Sequence, residues 1–351
     1  MGIMKPDILR AGLSAMYYSG AHKLLAPYAG GIGLIFMLHR VLPEQPRGFA
    51  PNRILQVTPA FLNAVIGQVR EAGLDIVSLD EAHARLIEGA GEGRFACFTL
   101  DDGYRDNLSH AYPVFKRRGV PFTIYVPSDF PSGKGELWWV ALEEVLSANE
   151  SLAVTLDDGE VILPLRTAAE KSAAFERVYG WLRRIDEDRQ RFFVRELCAR
   201  TGVDLQALCA GLIMTWDEIR ELAADPLVTI GAHTVGHYAL AKLPPARARA
   251  EMADGAELLA RELGVQPRHF SYPYGDTASA GPLDFKSAAE LGFKTAVTTR
   301  KGLIFPEHRD HLTALPRVSL NGDYQSLKFT QLYLTGAPFA LWNAFRRVDA
   351  A

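Results

Sequence analysis

The chain has 351 residues, 48% of them hydrophobic, with 38 Lys and Arg against 41 Asp and Glu for a net charge of −3. That length supports one large domain or two ordinary ones, and the near-balanced charge gives no electrostatic case for nucleic acid. The three cysteines, Cys97, Cys198 and Cys209, make neither a disulfide framework nor a Cys-rich metal site, and they point to a reducing compartment.

Met1 to Tyr28 mixes Lys5, Asp7, Arg10 and Lys23 with apolar residues. It lacks an apolar core followed by a small-residue cleavage site, so it does not read as a signal peptide. Ile8, Leu9, Leu13, Met16, Tyr17 and Leu24 predict an amphipathic helix that packs on its own domain, with peripheral contact to a membrane as the alternative. Leu24 to His39 is uncharged but is broken by Pro27 and by glycines at 30, 31 and 33, too short and irregular for a bilayer span. Residues 1–30 are therefore set apart as a helix and linker.

Gly33 to Leu38 is the first strand and ends at His39-Arg40. In a parallel sheet His39 would lie on the strand edge where α/β folds bind ligands; a capping histidine is the alternative. Thr58 as N-cap and Pro59 at the first helical position open a helix that runs to Ala72. Ile76-Val77-Ser78-Leu79 is a short strand, with a helix from Asp80.

Phe95 to Leu100 is a buried strand that ends in Asp101-Asp102-Gly103-Tyr104, before a helix reaching Arg118. Two adjacent carboxylates repel each other and are poorly hydrated there. They become tolerable if one ligates a cation and the other is free to move protons. Thr155-Leu156-Asp157-Asp158-Gly159 repeats the same pentapeptide, but a strand-like run follows at once. That copy reads as a hairpin from Leu152 to Leu165, with Asp158-Gly159 as its two-residue turn.

Pro121 to Val126 is another strand. Residues from about 145 to 214 then break the alternation with the hairpin and two charged helical stretches, an insertion packed on the rest. Trp138-Trp139 stands just before it, as a sugar shelf or as core. Leu227 to Ile230 is a strand leading into Gly231-Ala232-His233-Thr234-Val235-Gly236-His237. Two histidines four apart at a strand end can converge on one ion, most readily if the segment turns helical between them. One aspartate plus two histidines is a facial set that leaves positions open for water and substrate.

A helix from Ala246 to Leu263, a strand at Phe270-Ser271-Tyr272, a helix from Phe285 to Leu291 and strands at Ala296 to Thr299 and Leu315 to Leu320 complete the series. About seven strands alternating with helices predict an α/β fold with a parallel, closed or nearly closed β/α barrel. The tail 326–351 is apolar and aromatic and ends near Arg346-Arg347; core packing is expected, with a partner or membrane as alternatives.

Thr99-Leu100-Asp101-Asp102-Gly103-Tyr104, then His233-Thr234 with His237, then Phe270 to Asp276, in this order, resemble the polysaccharide deacetylases, the nodulation protein B or carbohydrate esterase family four. The resemblance spans roughly residues 33 to 321. It implies an irregular, TIM-like (β/α)7 barrel over residues 31–325 and a metal-dependent hydrolase that removes N-acetyl groups from amino sugars of a polysaccharide, oligosaccharide or lipid-linked glycan. It implies a divalent ion on Asp102, His233 and His237: zinc first, cobalt or nickel as alternatives. Asp101 becomes the general base and the Tyr274 N–H an oxyanion donor.

The family's Leu-x-His motif is absent here, since Leu315-Pro316-Arg317 and Leu320-Asn321 stand in its place. His39, after Leu38, is the expected general acid, ahead of His308 and His311. Ser271 stands where the family carries an arginine, for which Arg317 is the candidate replacement, and the fourth, Asp-Trp motif is missing. Substrate contacts are expected from Tyr104, Trp138, Trp139 and Arg317. A non-catalytic metal- or sugar-binding module on the same barrel is the alternative. The expected location is cytoplasmic, with the inner membrane face as the alternative.

Overall fold

A computed structural model describes residues 6–44, 46, 48–89 and 93–350; Met1 to Lys5, at the head of the expected N-terminal helix, lie outside them. Seven parallel strands form the centre: β1 (Gly33–Leu38), β2 (Phe95–Leu100), β3 (Phe122–Val126), β4 (Val228–Ala232), β5 (His269–Ser271), β6 (Thr295–Lys301) and β7 (Leu315–Ser319). Going round, the order is β1-β7-β6-β5-β4-β3-β2. Pairing of β1 with β2 at all six residues, from Gly33 opposite Phe95 to Leu38 opposite Leu100, closes the ring. The expected barrel is thus the observed one. The anticipated strand at 76–79 shrinks to Asp75–Ile76, which flanks the start of β2, because Ser78 is spent as the N-cap of helix Leu79–Glu88.

Period two along the strands separates two apolar layers. Leu34, Phe36, Ala96 and Phe98 face outward under the helices. Ile35, Phe95, Cys97, Tyr125, Val297 and Leu315 fill the barrel. Gly231 of β4 gives way to this filling, since a Cβ there would lie 2.5 Å from the Tyr125 ring.

Between β3 and β4 stand helix Trp138–Ala148, hairpin strands Ser151–Leu156 and Gly159–Pro164, and helices Ala168–Leu182, Glu187–Thr201 and Leu205–Leu212, so the extra structure starts before the 145 read from the sequence. It has its own apolar core, joined to the barrel through Tyr104 and Phe130. The hairpin turn is Asp157-Asp158, one residue earlier than expected. Gly159, at φ +104°, already pairs with Leu156, a backbone setting that suits glycine.

Helices Pro6–Ser19 and Ala21–Ala29 pack against Leu327–Thr335 and Ala337–Trp342. Arg94 ties the two groups together by donating to the carbonyls of Gly30 and Leu334 (2.8 Å to Leu334). Tyr28 and Trp342 stay exposed at this end. Among the described residues no helix is long and apolar enough to cross a membrane.

Candidate metal and catalytic centre

The inward alternation of β2 runs Phe95, Cys97, Thr99, Asp101, so Asp101 enters the barrel mouth as the next inward residue. Asp102 would point outward if the strand continued. Instead it takes φ +75°, which turns its carboxylate toward the same mouth. Thr234 (+66°), His237 (+59°) and Tyr274 (+60°) share this left-handed conformation. Each costs about 1–3 kcal/mol for a non-glycine residue, and such strain collects at functional sites.

Asp102, His233 and His237 converge. The Asp102 Oδ1 atom lies 3.5 Å from His233 Nε2 and 3.3 Å from His237 Nε2, and all three side chains are buried. Among the described residues this is the group whose ligand atoms could close on one ion. Ligands at about 2.0–2.1 Å from a tetrahedral ion stand roughly 3.3 Å apart, close to the two spacings from Asp102. Asp102 Oδ1 has no hydrogen-bond partner despite its burial, so the residues present fit a divalent cation. The Ser271 carbonyl takes up His233 Nδ1 at 2.6 Å, leaving Nε2 to face the cluster. Burial among Phe130, Trp139 and Tyr274 pushes the His237 pKa down to about 4, keeping the imidazole neutral, as a ligand must be. Burial would raise Asp102, but the two imidazoles hold its pKa below the usual carboxylate range.

The segment between the histidines is not helical; it is an irregular loop held from several sides. Thr234 Oγ1 accepts the His237 N–H (2.9 Å), Glu251 accepts the Val235 and Gly236 N–H groups (3.1 and 2.9 Å), and Arg191 donates to the carbonyls of Gly236 and His237 (2.9 and 3.1 Å). Helix Pro245–Leu263 backs this loop so closely that a Cβ on Gly255 would sit 2.7 Å from the Thr234 carbonyl. Gly255→Ala must therefore shift the ligand loop. The expected result is zinc affinity lowered about 10–100-fold, the size of outer-shell effects, in a protein that still folds; competition with a chromophoric chelator measures it.

Asp101 is held from the last strand. Arg317 donates from Nη1 and Nη2 to its two oxygens (2.8 and 2.7 Å), and also to Thr99 Oγ1 (3.1 Å) and Ser271 Oγ (3.0 Å). Burial alone would push the Asp101 pKa up; the guanidinium outweighs it and leaves the net shift downward. Arg317 is thus a partner of Asp101, 1% exposed, and the expectation that it touches substrate is corrected. The same correction applies to Tyr104 and Trp138, both fully buried. The Tyr104 hydroxyl accepts from Trp139 Nε1 (3.0 Å), and Trp138 Nε1 donates to the Tyr274 hydroxyl (2.7 Å).

A pocket of about 360 Å³ opens above these groups, lined by His39, Asp101, Asp102, Trp139, His233, His237 and Tyr274. His39 faces it from the end of β1. His308 is buried in the turn Pro306–Asp310, with His311 just after it, in the stretch that leads into β7 at the opposite end of the barrel. Pro51, Asn52, Ile54, Leu55, Phe175, Tyr179 and Thr299 complete the lining. Sequence reading missed these seven; the broken strand–helix rhythm at 145–214 was the one signal that something covers the mouth.

A sequence profile of the polysaccharide deacetylase family matches residues 145–296. That stretch holds His233, His237 and Tyr274, starts after Asp101-Asp102, and takes in the segment set apart as an insertion. The fold is similar to the deacetylase PplD of Streptococcus pyogenes in complex with acetate (TM-score 0.54, 16% identity, 86% of this chain and 97% of that one). It is also similar to IcaB from Ammonifex degensii (0.53, 20%, 87% and 98%) and to a de-N-acetylase from Aggregatibacter actinomycetemcomitans (0.54, 13%, 86% and 99%). No curated protein matches the chain.

Proposed function

Starting from a chain that matches the polysaccharide deacetylase family over residues 145–296, we propose that it is a metal-dependent hydrolase acting on the N-acetyl groups of N-acetylated amino sugars. The observation that carries this reading is the convergence of Asp102, His233 and His237 with a second carboxylate, Asp101, at the floor of one pocket. A module that only bound metal or sugar would need neither Asp101 nor the arginine that holds it.

A divalent ion, when bound by Asp102, His233 and His237, supplies Lewis acidity toward the acetyl carbonyl and acidifies water. Asp101, kept ionised at neutral pH by Arg317, receives the proton of the attacking water. The Tyr274 backbone N–H is the donor proposed for the developing oxyanion. Tyr274 is fixed for that task, since its carbonyl accepts from Thr299 Oγ1 (2.5 Å) and its hydroxyl from Trp138. His39, on the same pocket wall, delivers a proton to the departing amine.

His39→Ala should lower the turnover of an acetamide about 10²–10⁴-fold, the usual weight of a general acid. Hydrolysis of an aryl acetate, whose leaving group needs no proton, should persist. Equal loss on both substrates would remove His39 from this role. The whole reading is tested by acetate release from a panel of N-acetylated glycans, with chelator and after zinc is restored. Release that stops with chelator and returns with zinc is expected; no release from any glycan would overturn it.

A further inference from the structure

We infer that the site takes the terminal N-acetylated residue of a glycan and not an internal residue of a long chain. This rests on the deacetylase reading and deepens it.

Two segments outside the barrel stand over the pocket: the turn Pro51–Leu55 after β1 and helix Ala168–Leu182 of the structure between β3 and β4. The turn meets the helix through Phe49, edge-on to Phe175 at 6.4 Å, and is tied to the neighbouring helix Trp138–Ala148, where Asn52 Nδ2 donates to the Glu143 carboxylate (2.7 Å) and to the Trp139 carbonyl (2.8 Å). On the other flank of the turn, Gln325 accepts the Thr58 N–H (2.9 Å). The far edge of the helical structure is fastened to the loop after β5. There Arg183 donates to Asp276 (3.1 Å) and Ser279 (2.8 Å), and its guanidinium lies 3.7 Å over the Tyr274 ring. A wall therefore runs from the 321–325 turn through 51–55 and the helical structure to the loop after β5.

A polymer lying across the mouth would have to pass through hydrogen-bonded protein; the end of a chain would not. The pocket volume of about 360 Å³ stands near the bottom of the roughly 300–1,000 Å³ that ligand pockets span. Its upper lining is apolar and aromatic (Ile54, Leu55, Phe175, Tyr179) with no Lys or Arg, which suits the faces of a neutral sugar.

The experiment uses N-acetylglucosamine oligomers of increasing length, with deacetylated positions assigned by tandem mass spectrometry. The expected result is one acetate lost per chain, from one terminal residue, at a rate that follows the number of chain ends. Several acetates per chain, or loss from internal residues, would overturn the inference while leaving the deacetylase reading intact. No acetate from any oligomer or other glycan would instead overturn that reading, and this inference with it. Glu143→Ala, outside the pocket lining, removes the carboxylate that holds Asn52 and so loosens the turn from helix Trp138–Ala148; it should let internal residues react. An unchanged single terminal product from a folded variant would overturn the assignment of selectivity to this wall.

Discussion

Asp101→Asn should lower acetate release about 10²–10⁴-fold, the range for loss of a general base, while zinc binding stays near wild type. The reason is the division of labour at the end of β2. Asp102 alone carries the ligand oxygen, 3.3 and 3.5 Å from the two imidazoles, whereas Asp101 turns into the barrel toward Arg317. Turnover and equilibrium zinc affinity measured on one preparation test this together. Loss of both at once would show that Asp101 holds the ion, and the assignment of the two aspartates would fall.

Arg317→Met should be damaging in two ways. The Asp101–Arg317 pair is fully buried, and removing one partner of such a pair costs about 3–5 kcal/mol because the other charge is left unsatisfied. Burial then acts on Asp101 unopposed and raises its pKa, so the acidic limb of the kcat/KM profile should move to higher pH. The stability change carries a sign of its own. In the wild type the folded pKa of Asp101 is lowered, so the pair contributes stability that is complete above the unfolded value, about 4. That contribution fades as pH falls toward the lowered folded value. The variant should therefore lose most stability at neutral pH and least in acid, which denaturant unfolding across pH measures. The double variant Asp101→Asn with Arg317→Met should be less destabilised than the sum of its parts, since no charge remains stranded. Additive losses would show that the two side chains are not coupled.

Both predictions turn on a cation that the sequence only half revealed. Ser271 occupies the motif position where an arginine was expected, and Arg317 stood about forty-six residues away with no local pattern to link them. The link exists because β7 follows β6 round a closed ring, and because a side chain at the third position of β7 points inward across the barrel to β2 and β5. His39 joined the site by the same closure, which sets β1 beside β7, with Phe36 opposite Val318. Closure of a sheet is a long-range fact, and neither propensity nor periodicity encodes which strands become neighbours across it.

Local signals served well where the physics is local. Thr58 with Pro59, and Gly264 at φ +72°, mark helix ends through hydrogen bonds and backbone freedom within a few residues, and both stand where the chain suggested. The alternating strands and helices determined the barrel, and Asp101-Asp102 with His233 and His237 determined the floor of the site. What only the tertiary structure decided is the rest of the pocket: that Tyr104 and Trp138 are scaffold, that Arg317 serves Asp101, and that Asn52, Phe175 and Tyr179 wall the mouth. Those outcomes depend on which surfaces meet once residues far apart in the chain are packed together, and burial is a property of the packed whole that no short stretch of sequence carries.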